Sequence, residues 1–368
     1  MHRVWGIGCV GVRQMVSATG LERLRSVCTR AVADGEVPGG VLVVGRREET
    51  LVELAFGNRA VFPFEEPATP DTIYDWASLT KPVVTATLFM QALEEGRVHL
   101  WEPLGRWLAV PADNPLCGVT PRQLLLHTSG LPAGLPLPDG GCTRDEYVNL
   151  IVEAGVQTVC DAEFLYSDLG FHLLAAVVEM VYEEPLETLA QDRILRPLRM
   201  TDASYGVEAG NISRTAPTER ANGHMLRGVV HDPVARAFGG IAGHAGLFGT
   251  ASDLARFCRM VIGRGQLEGS RILQPATLDC MVAPVDVGSG NVRALGWDVN
   301  TRYSNPRGDI FPVRGVGHTG FTGPSCWIDP PSGIYIVLMT NRLHPDGKGD
   351  AVGLRRRVAN VVAATLLP

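Results

Sequence analysis

The stretch SLTKPVVTATLFMQAL, residues 78 to 93, limits the fold more than any other part of this 368-residue chain. A helix drawn through it is apolar on nearly every side, so it has to lie in the interior with other elements wrapped around it. Pro82 lacks a backbone N–H and is tolerated only in the first turn, where donors have no intrahelical partner. The helix is therefore expected over residues 79–95, starting at about Ser78 and stopped by Gly96. Lys81, one of only two lysines, then stands in the first turn of a buried helix, against the positive end of its dipole. Burial and dipole are both expected to lower its pKa. A neutral Lys81 one turn along from Ser78 could accept the hydroxyl proton and convert a poor nucleophile into a reactive one. The alternative is an N-capping serine beside a lysine that snorkels to solvent.

The length suits one large domain or two intimately packed lobes whose core needs neither disulfides nor metal. Apolar residues at 45% and charged residues at 20% describe an ordinary soluble protein, and no apolar run reaches the ~20 residues of a membrane span. A net charge of −6 argues against a nucleic-acid partner. The densest basic run, the arginines at 355, 356 and 357, reads as a solvated helix face. The eight cysteines form no CxxC pair and have no histidine at zinc-ligand spacing, so they read mostly as buried free thiols, with no metal site and no cofactor implied. Residues 1–18 form a signal or disordered leader: a basic start, an apolar run over 4–12 and a Val16-Ser17-Ala18 end, interrupted by Arg13. The scattered cysteines favour a cytoplasmic location slightly over export.

Leu21, Leu24, Cys28 and Ala31 repeat at helical spacing up to Gly35, and strand-like runs follow at 40–45 and 51–57. Further strands are expected at 295–300, 324–330 and 334–341, and a closing amphipathic helix at 353–367. Strands at both ends with helices between them (119–127, 144–154, 169–182 and 186–195) give an α+β fold: one antiparallel sheet assembled from both termini and flanked by helices. Residues 19–368 then form a single domain, with an α/β lobe at about 19–70 and 250–368 and an inserted helical lobe at about 71–249.

Acyl transfer on a serine needs a second proton-transfer group and an oxyanion site. FLYSDLGFHLL, residues 164–174, places Tyr166 and Asp168 just before an apolar helix, where they could enter a cleft or serve as a packing tyrosine and a helix N-cap. GVGHTGFTG, residues 315–323, carries more glycine than a strand normally tolerates unless a ligand approaches its backbone. His318 and Thr319 then mark a strand edge against which a substrate can pair; the other reading is a bulged hairpin with a surface histidine.

Together, Ser78-Leu79-Thr80-Lys81, Tyr166-Ser167-Asp168 and His318-Thr319-Gly320 resemble, in order and spacing, the SxxK, YxN and KTG motifs of the class C β-lactamase and penicillin-binding serine hydrolase family. TPRQLLLHTSGLP (120–132), ILRPLRMTDASY (194–205), GGIAGHAGLFGTASDLARF (239–257) and LMTNRLHP (338–345) look like family stretches too. The resemblance implies a β-lactamase/transpeptidase-like fold and a two-step acyl transfer without metal or cofactor. Ser78 would be the nucleophile, Lys81 its base or relay, and Tyr166 the phenol that shares protons with water or leaving group. The Ser78 and Phe321 N–H groups would form the oxyanion hole, and Asp168, His318, Thr319 and Gly320 would contact substrate.

Two positions depart from the family pattern. Asp168 stands where the pattern has Asn and, when ionised, accepts hydrogen bonds but cannot donate them. His318 replaces a permanent cation, which weakens the expected hold on a β-lactam carboxylate at neutral pH. The expected substrate is therefore a small-molecule or peptidoglycan-derived D-amino-acid peptide or ester, handled by an esterase or D,D-carboxypeptidase type of enzyme more than by an efficient β-lactamase. A noncatalytic penicillin-binding sensor is the other possibility, because an acyl-enzyme that never deacylates keeps all three motifs. An α/β-hydrolase is disfavoured, since no serine lies in a GxSxG elbow. In GGIAGHAGLFGTASD the glycines lack phosphate-loop spacing, Thr250 and Asp253 read as a capping box, and His244 is a candidate cleft residue. His127 reads as structural, ending a helix and satisfying local carbonyls.

Overall fold

The computed structural model describes residues 17–221 and 223–367. The expected leader falls on residues outside this set except for Ser17 and Ala18, which open the first helix. In α1 (Ala18–Ala33) the Ser17 hydroxyl accepts the Gly20 N–H at 3.0 Å. Its buried stripe of Leu24, Cys28 and Ala31 is the one the helical spacing marks out.

The main sheet has nine strands: β1 (Gly39–Arg46), β2 (Glu49–Ala60), β3 (Glu66–Pro67), β4 (Val285–Asp286), β5 (Val292–Ala294), β6 (Trp297–Asn300), β7 (Val316–Thr319), β8 (Ser325–Asp329) and β9 (Ile334–Thr340). Their spatial order is β4-β5-β6-β7-β8-β9-β1-β2-β3, antiparallel throughout, so the first and last long strands lie side by side with Val41 opposite Met339. The sheet is thus closed by residues from opposite ends of the chain.

Both faces of the sheet are buried, and the pleat sorts alternate residues into two cores. Leu42, Val44, Ile336 and Leu338 face α1 and α10 (Val352–Leu366), joining Leu24, Leu354, Val358 and Val362. Val41, Val43, Val337 and Met339 face the larger core, shared with the helices between the strand groups. Those helices are α2 (Thr87–Glu94), α3 (Pro121–Leu126), α4 (Arg144–Ala154), α5 (Leu169–Tyr182), α6 (Leu186–Ala190), α7 (Pro233–Ala237), α8 (Ala251–Ile262) and α9 (Pro275–Val282). The capping box expected at Thr250 and Asp253 is present, with reciprocal bonds of 3.1 and 3.2 Å.

The buried helix is continuous but not uniform. It opens as a 3-10 turn over Ala77–Leu79, continues as a π-helix over Lys81–Ala86 and becomes α only at α2. Pro82 supplies no N–H to an α ladder, and the Thr87 hydroxyl donates to the Pro82 carbonyl at 2.8 Å. Widened turns of this kind concentrate at functional sites.

Two expectations need correction. Of the seven described cysteines only Cys28, Cys258 and Cys326 are buried, Cys280 is exposed, and all seven are free thiols. The arginine run is not a solvated face. Arg355 is buried, and its guanidinium donates to the carbonyls of Gly320, Gly323 and Pro324, each at 3.1 Å for one of its bonds. Arg356 and Arg357 pair instead with Asp309 and Glu36. The run looked solvated because its charge density was legible, whereas a turn from another part of the chain supplies the carbonyls that draw Arg355 inward. Among the described residues, no helix is long and apolar enough to cross a membrane.

Leu354 joins the terminal helix to the sheet and is fully buried, so Leu354→Ala is expected to lower unfolding free energy by about 2–5 kcal/mol, read from denaturant midpoints.

Candidate active site

The three motifs converge on one cavity of about 450 Å³, within the usual range for a small-molecule site. Ser78, Tyr166, Asp168, His318, Thr319 and Phe321 all line it. Gly320 does not. A Cβ there would come within 2.6 Å of the Trp76 carbonyl oxygen, so its glycine serves close packing of the β7 turn against the serine turn rather than substrate contact.

Lys81 is fully buried at the base of this cavity. Its Nζ donates to Ser78 Oγ at 2.9 Å and to the His244 carbonyl at 3.1 Å, and it pairs with Asp168 Oδ1 at 2.7 Å. Two of these contacts are hydrogen bonds and the third is an ion pair, so the buried ammonium is answered by a hydroxyl, a carbonyl and a carboxylate. Burial pulls the lysine pKa down, but the negative charge of Asp168 and the neighbouring Tyr166 outweigh it, and the net shift is upward. The expected neutral lysine is therefore corrected. The helix dipole was visible in the sequence, but the opposing carboxylate comes from a segment 87 positions away and acts at contact distance. Asp168 occupies the N-cap position of α5 without making a side-chain cap bond, because its carboxylate points to Lys81.

Tyr166 is held by its neighbours. His127 stacks on its ring at 4.4 Å, and Lys81 Nζ lies 5.1 Å from the ring centre, so the phenol feels both the ammonium and Ser78. Burial raises the phenol pKa, with Lys81 partly offsetting it, so the group rests protonated. His127 ends α3 in a left-handed conformation, φ 58°. It does not satisfy a carbonyl as expected: its Nδ1 accepts the Ser167 N–H at 3.1 Å, tying α3 to the Tyr166 segment.

The serine turn is braced from beneath. Ala77, directly before Ser78, has φ 46°, a strained value for a residue with a side chain. Asp75 supports it: one carboxylate oxygen accepts the Ala77 N–H at 2.8 Å and the other accepts the His231 N–H at 2.7 Å. Burial pushes the Asp75 carboxyl up to about 6. Thr322 donates its hydroxyl to the Asp75 carbonyl at 2.8 Å, so the turn carrying Phe321 is fastened to the turn carrying Ser78. The Phe321 N–H has no acceptor among the described residues, and the Ser78 N–H sits in a first helical turn, where donors have no intrahelical partner. Asp75 was missed in the sequence, where it falls in no predicted element, and Arg355 was read there only as part of a solvated helix face.

His318 is buried, with Nδ1 bonded to the Thr319 carbonyl at 3.0 Å. Burial, followed by the charges of Arg293 and Lys81, holds its pKa well below the usual imidazole range, so it is neutral at pH 7. β7 pairs with β8 along its length but meets β6 only at Gly317, which leaves the outer edge of His318 and Thr319 open. His244 lines the cavity as expected, its Nε2 2.9 Å from Asp232 Oδ1. Asp168, Asp232 and His244 lie close enough together to suggest a metal site. However, Lys81 already answers Asp168 and the His244 ring answers Asp232, so a divalent cation would have to displace an ammonium group.

The match to known proteins agrees with this geometry. The family model described as Beta-lactamase matches residues 24–360. The chain is 27% identical to an N-acetylmuramyl-L-alanine amidase of Bacillus subtilis (strain 168), covering 88% of this chain and 81% of the relative. It is 26% identical to a putative D-alanyl-D-alanine carboxypeptidase of Escherichia coli O157:H7, covering 84% and 80% respectively. A solved class C β-lactamase superposes with a TM-score of 0.79 at 17% identity, covering 98% of this chain and 99% of that one, and so shares its fold. With the family model spanning nearly its whole length and the same fold in its structural neighbours, this chain belongs to the β-lactamase family of serine hydrolases.

Proposed function

We propose that the protein hydrolyses an amide or ester bond in a D-amino-acid peptide or a related small ester, through an acyl-enzyme on Ser78. The observation that carries this reading is the contact chain Ser78–Lys81–Asp168, with links of 2.9 and 2.7 Å. A resting ammonium cannot act as a base. A lysine that passes one proton to Asp168 as it receives the Ser78 proton avoids populating a free amine. The Ser78 oxygen then attacks the carbonyl carbon, and the developing oxyanion takes the Ser78 and Phe321 N–H groups. Collapse breaks the bond to the leaving amine or alcohol, which receives its proton from Tyr166; Tyr166 is reprotonated through Lys81 from Asp168. Water repeats the sequence on the ester and releases the acid.

The likeness to an N-acetylmuramyl-L-alanine amidase and a putative D-alanyl-D-alanine carboxypeptidase supports a wall-derived peptide over an antibiotic. His318 is neutral, so the third motif offers a substrate carboxylate of either kind no charge.

Intact mass after exposure to a fluorophosphonate is expected to show one adduct on the wild type and none on Ser78→Ala, with slow labelling of Lys81→Ala. A penicillin adduct is expected to form more slowly; one that forms readily and persists indefinitely would favour the sensor reading. For Asp168→Asn, the labelling rate at pH 7 is expected to fall by about 10²–10⁴-fold through loss of the proton acceptor. The variant also gains a rate that climbs with pH. Without the carboxylate, burial acts on Lys81 against Tyr166 alone, so its pKa drops and the climb tracks formation of the free amine. An unchanged rate and profile in Asp168→Asn would remove Asp168 from the mechanism.

A further inference from the structure

The serine turn rests on a buried carboxylate that the reaction itself does not touch. Asp75 lies on a two-residue strand, Tyr74–Asp75, paired with Phe248 and Gly249, and is only 3% exposed. Among the described residues it forms no ion pair. Its two oxygens accept backbone N–H groups instead, one from Ala77 at 2.8 Å and the other from His231 at 2.7 Å. A buried charge without a counter-ion is costly, so the site has to need something that only the charged form supplies. A carboxylate offers acceptors on both oxygens, whereas a protonated acid or an amide turns one of the two into a donor, which would then face an N–H. The ionised form alone satisfies Ala77 and His231 together.

Both bonds end on parts of the cavity. Ala77 precedes Ser78 and is held at φ 46°, where a residue with a side chain rests only under constraint. His231 lines the cavity and stacks on the Phe321 ring, with centroids 5.7 Å apart and planes at 29°. The Asp75 carbonyl accepts the Thr322 hydroxyl at 2.8 Å, and the Trp76 carbonyl packs so closely on Gly320 that no side chain fits between them. Residues 75–77 therefore sit where the Ser78 turn, the Phe321 turn and the His231 wall meet, and the carboxylate ties the first to the third. The titratable groups around Asp75 leave it without a counter-charge. Tyr74 on its own strand is buried with its phenol pushed up, so it stays neutral. Leu247–Gly249 and the 320–322 turn carry no titratable side chain, and Lys81, in the helix after Ser78, is paired with Asp168. The His231 ring stands 2.7 Å from Glu219, and ionised Asp232, next in the chain, opposes a second negative charge. Burial outweighs the two N–H bonds and pushes the Asp75 carboxyl up to about 6.

We propose that Asp75 is a positioning residue for acyl transfer at Ser78: its carboxylate holds the Ser78 turn in register with the Phe321 turn, and the site loses activity in mild acid when that carboxylate takes up a proton. This rests on the acyl-transfer reading. Protonation removes one acceptor, one of the two N–H groups goes unanswered, and Ala77 is free to leave its strained conformation. The Ser78 hydroxyl and N–H then move against Lys81 and the Phe321 N–H, whose positions are set by other contacts.

The pH dependence of Ser78 labelling by a fluorophosphonate tests the role, read as a second-order rate from intact mass between about pH 4.5 and 8. The wild type is expected to fall to half its plateau rate near pH 6 and to about a tenth by pH 5. Asp75→Asn, neutral at every pH, is expected to label about 10–100-fold more slowly than the wild type at pH 8 and to show no limb near pH 6. Asp75→Glu keeps two acceptor oxygens on a longer arm, so its rate is expected to lie between the two and its limb to be displaced. A variant that only loses folded protein lowers the fraction that labels and leaves the pH of half-rate where it was, so a purely structural role gives a different result. Should Asp75→Asn fail to fold, the displacement in Asp75→Glu decides. A wild-type rate that is flat across the range, or a limb that persists unmoved in either variant, overturns the proposal. Labelled Ser78 without the Asp75-dependent limb removes the positioning role alone, whereas absence of labelling at every pH removes the acyl-transfer reading and this inference with it.

Discussion

A single buried cation organises the centre of this protein. The Lys81 ammonium has no access to water and takes its three hydrogen bonds or ion pairs from the serine turn, the Tyr166 segment and the loop before α8. A charge that far inside a protein is tolerated only if it is paired and fully bonded. Those three segments must therefore meet at one point, and meeting there creates the cavity. The apolar helix beneath Lys81 serves the same end by giving the cation a rigid base that larger-core side chains grip on all sides.

The Ser78 turn and the turn carrying Phe321 form a second unit, built from polar clasps rather than apolar packing. Asp75 braces the strained Ala77, Thr322 bonds back to Asp75, and Arg355 holds the carbonyls of the 320–324 turn from below. Each of these side chains is buried, so its bonds form in a low-dielectric setting where they are strong and costly to lose. This rigidity suits an oxyanion site, whose N–H groups have to be in position before charge develops.

The charges around the cavity are set partly at motif positions and partly outside them. The replacement of a permanent cation by His318 removes charge from one strand, while Arg293 holds an incompletely answered charge on another. Asp168 likewise exchanges an amide for a carboxylate and, in doing so, sets the protonation state of Lys81. The departures from the family pattern are thus electrostatic adjustments to one cavity and keep its shape.

The sequence by itself determined the elements and brought forward the candidate reacting groups. Hydrophobic period, Pro82 and the glycine stops are local signals. They placed α4 and α5 at their observed ends and the long strands within about three residues, and they brought Ser78, Lys81, Tyr166 and His318 forward as candidates. Only the tertiary structure decided what charge those groups carry and who supports them. Lys81 reads as neutral from its own helix and is protonated because Asp168 stands against it; Arg355 reads as solvated and is buried because carbonyls of a distant turn receive it. Arg293 gives no sign in sequence of lying in a cavity wall. Periodicity records how a segment meets its own neighbours in the chain, whereas electrostatic energy depends on distance in space, and those distances exist only once the segments have packed.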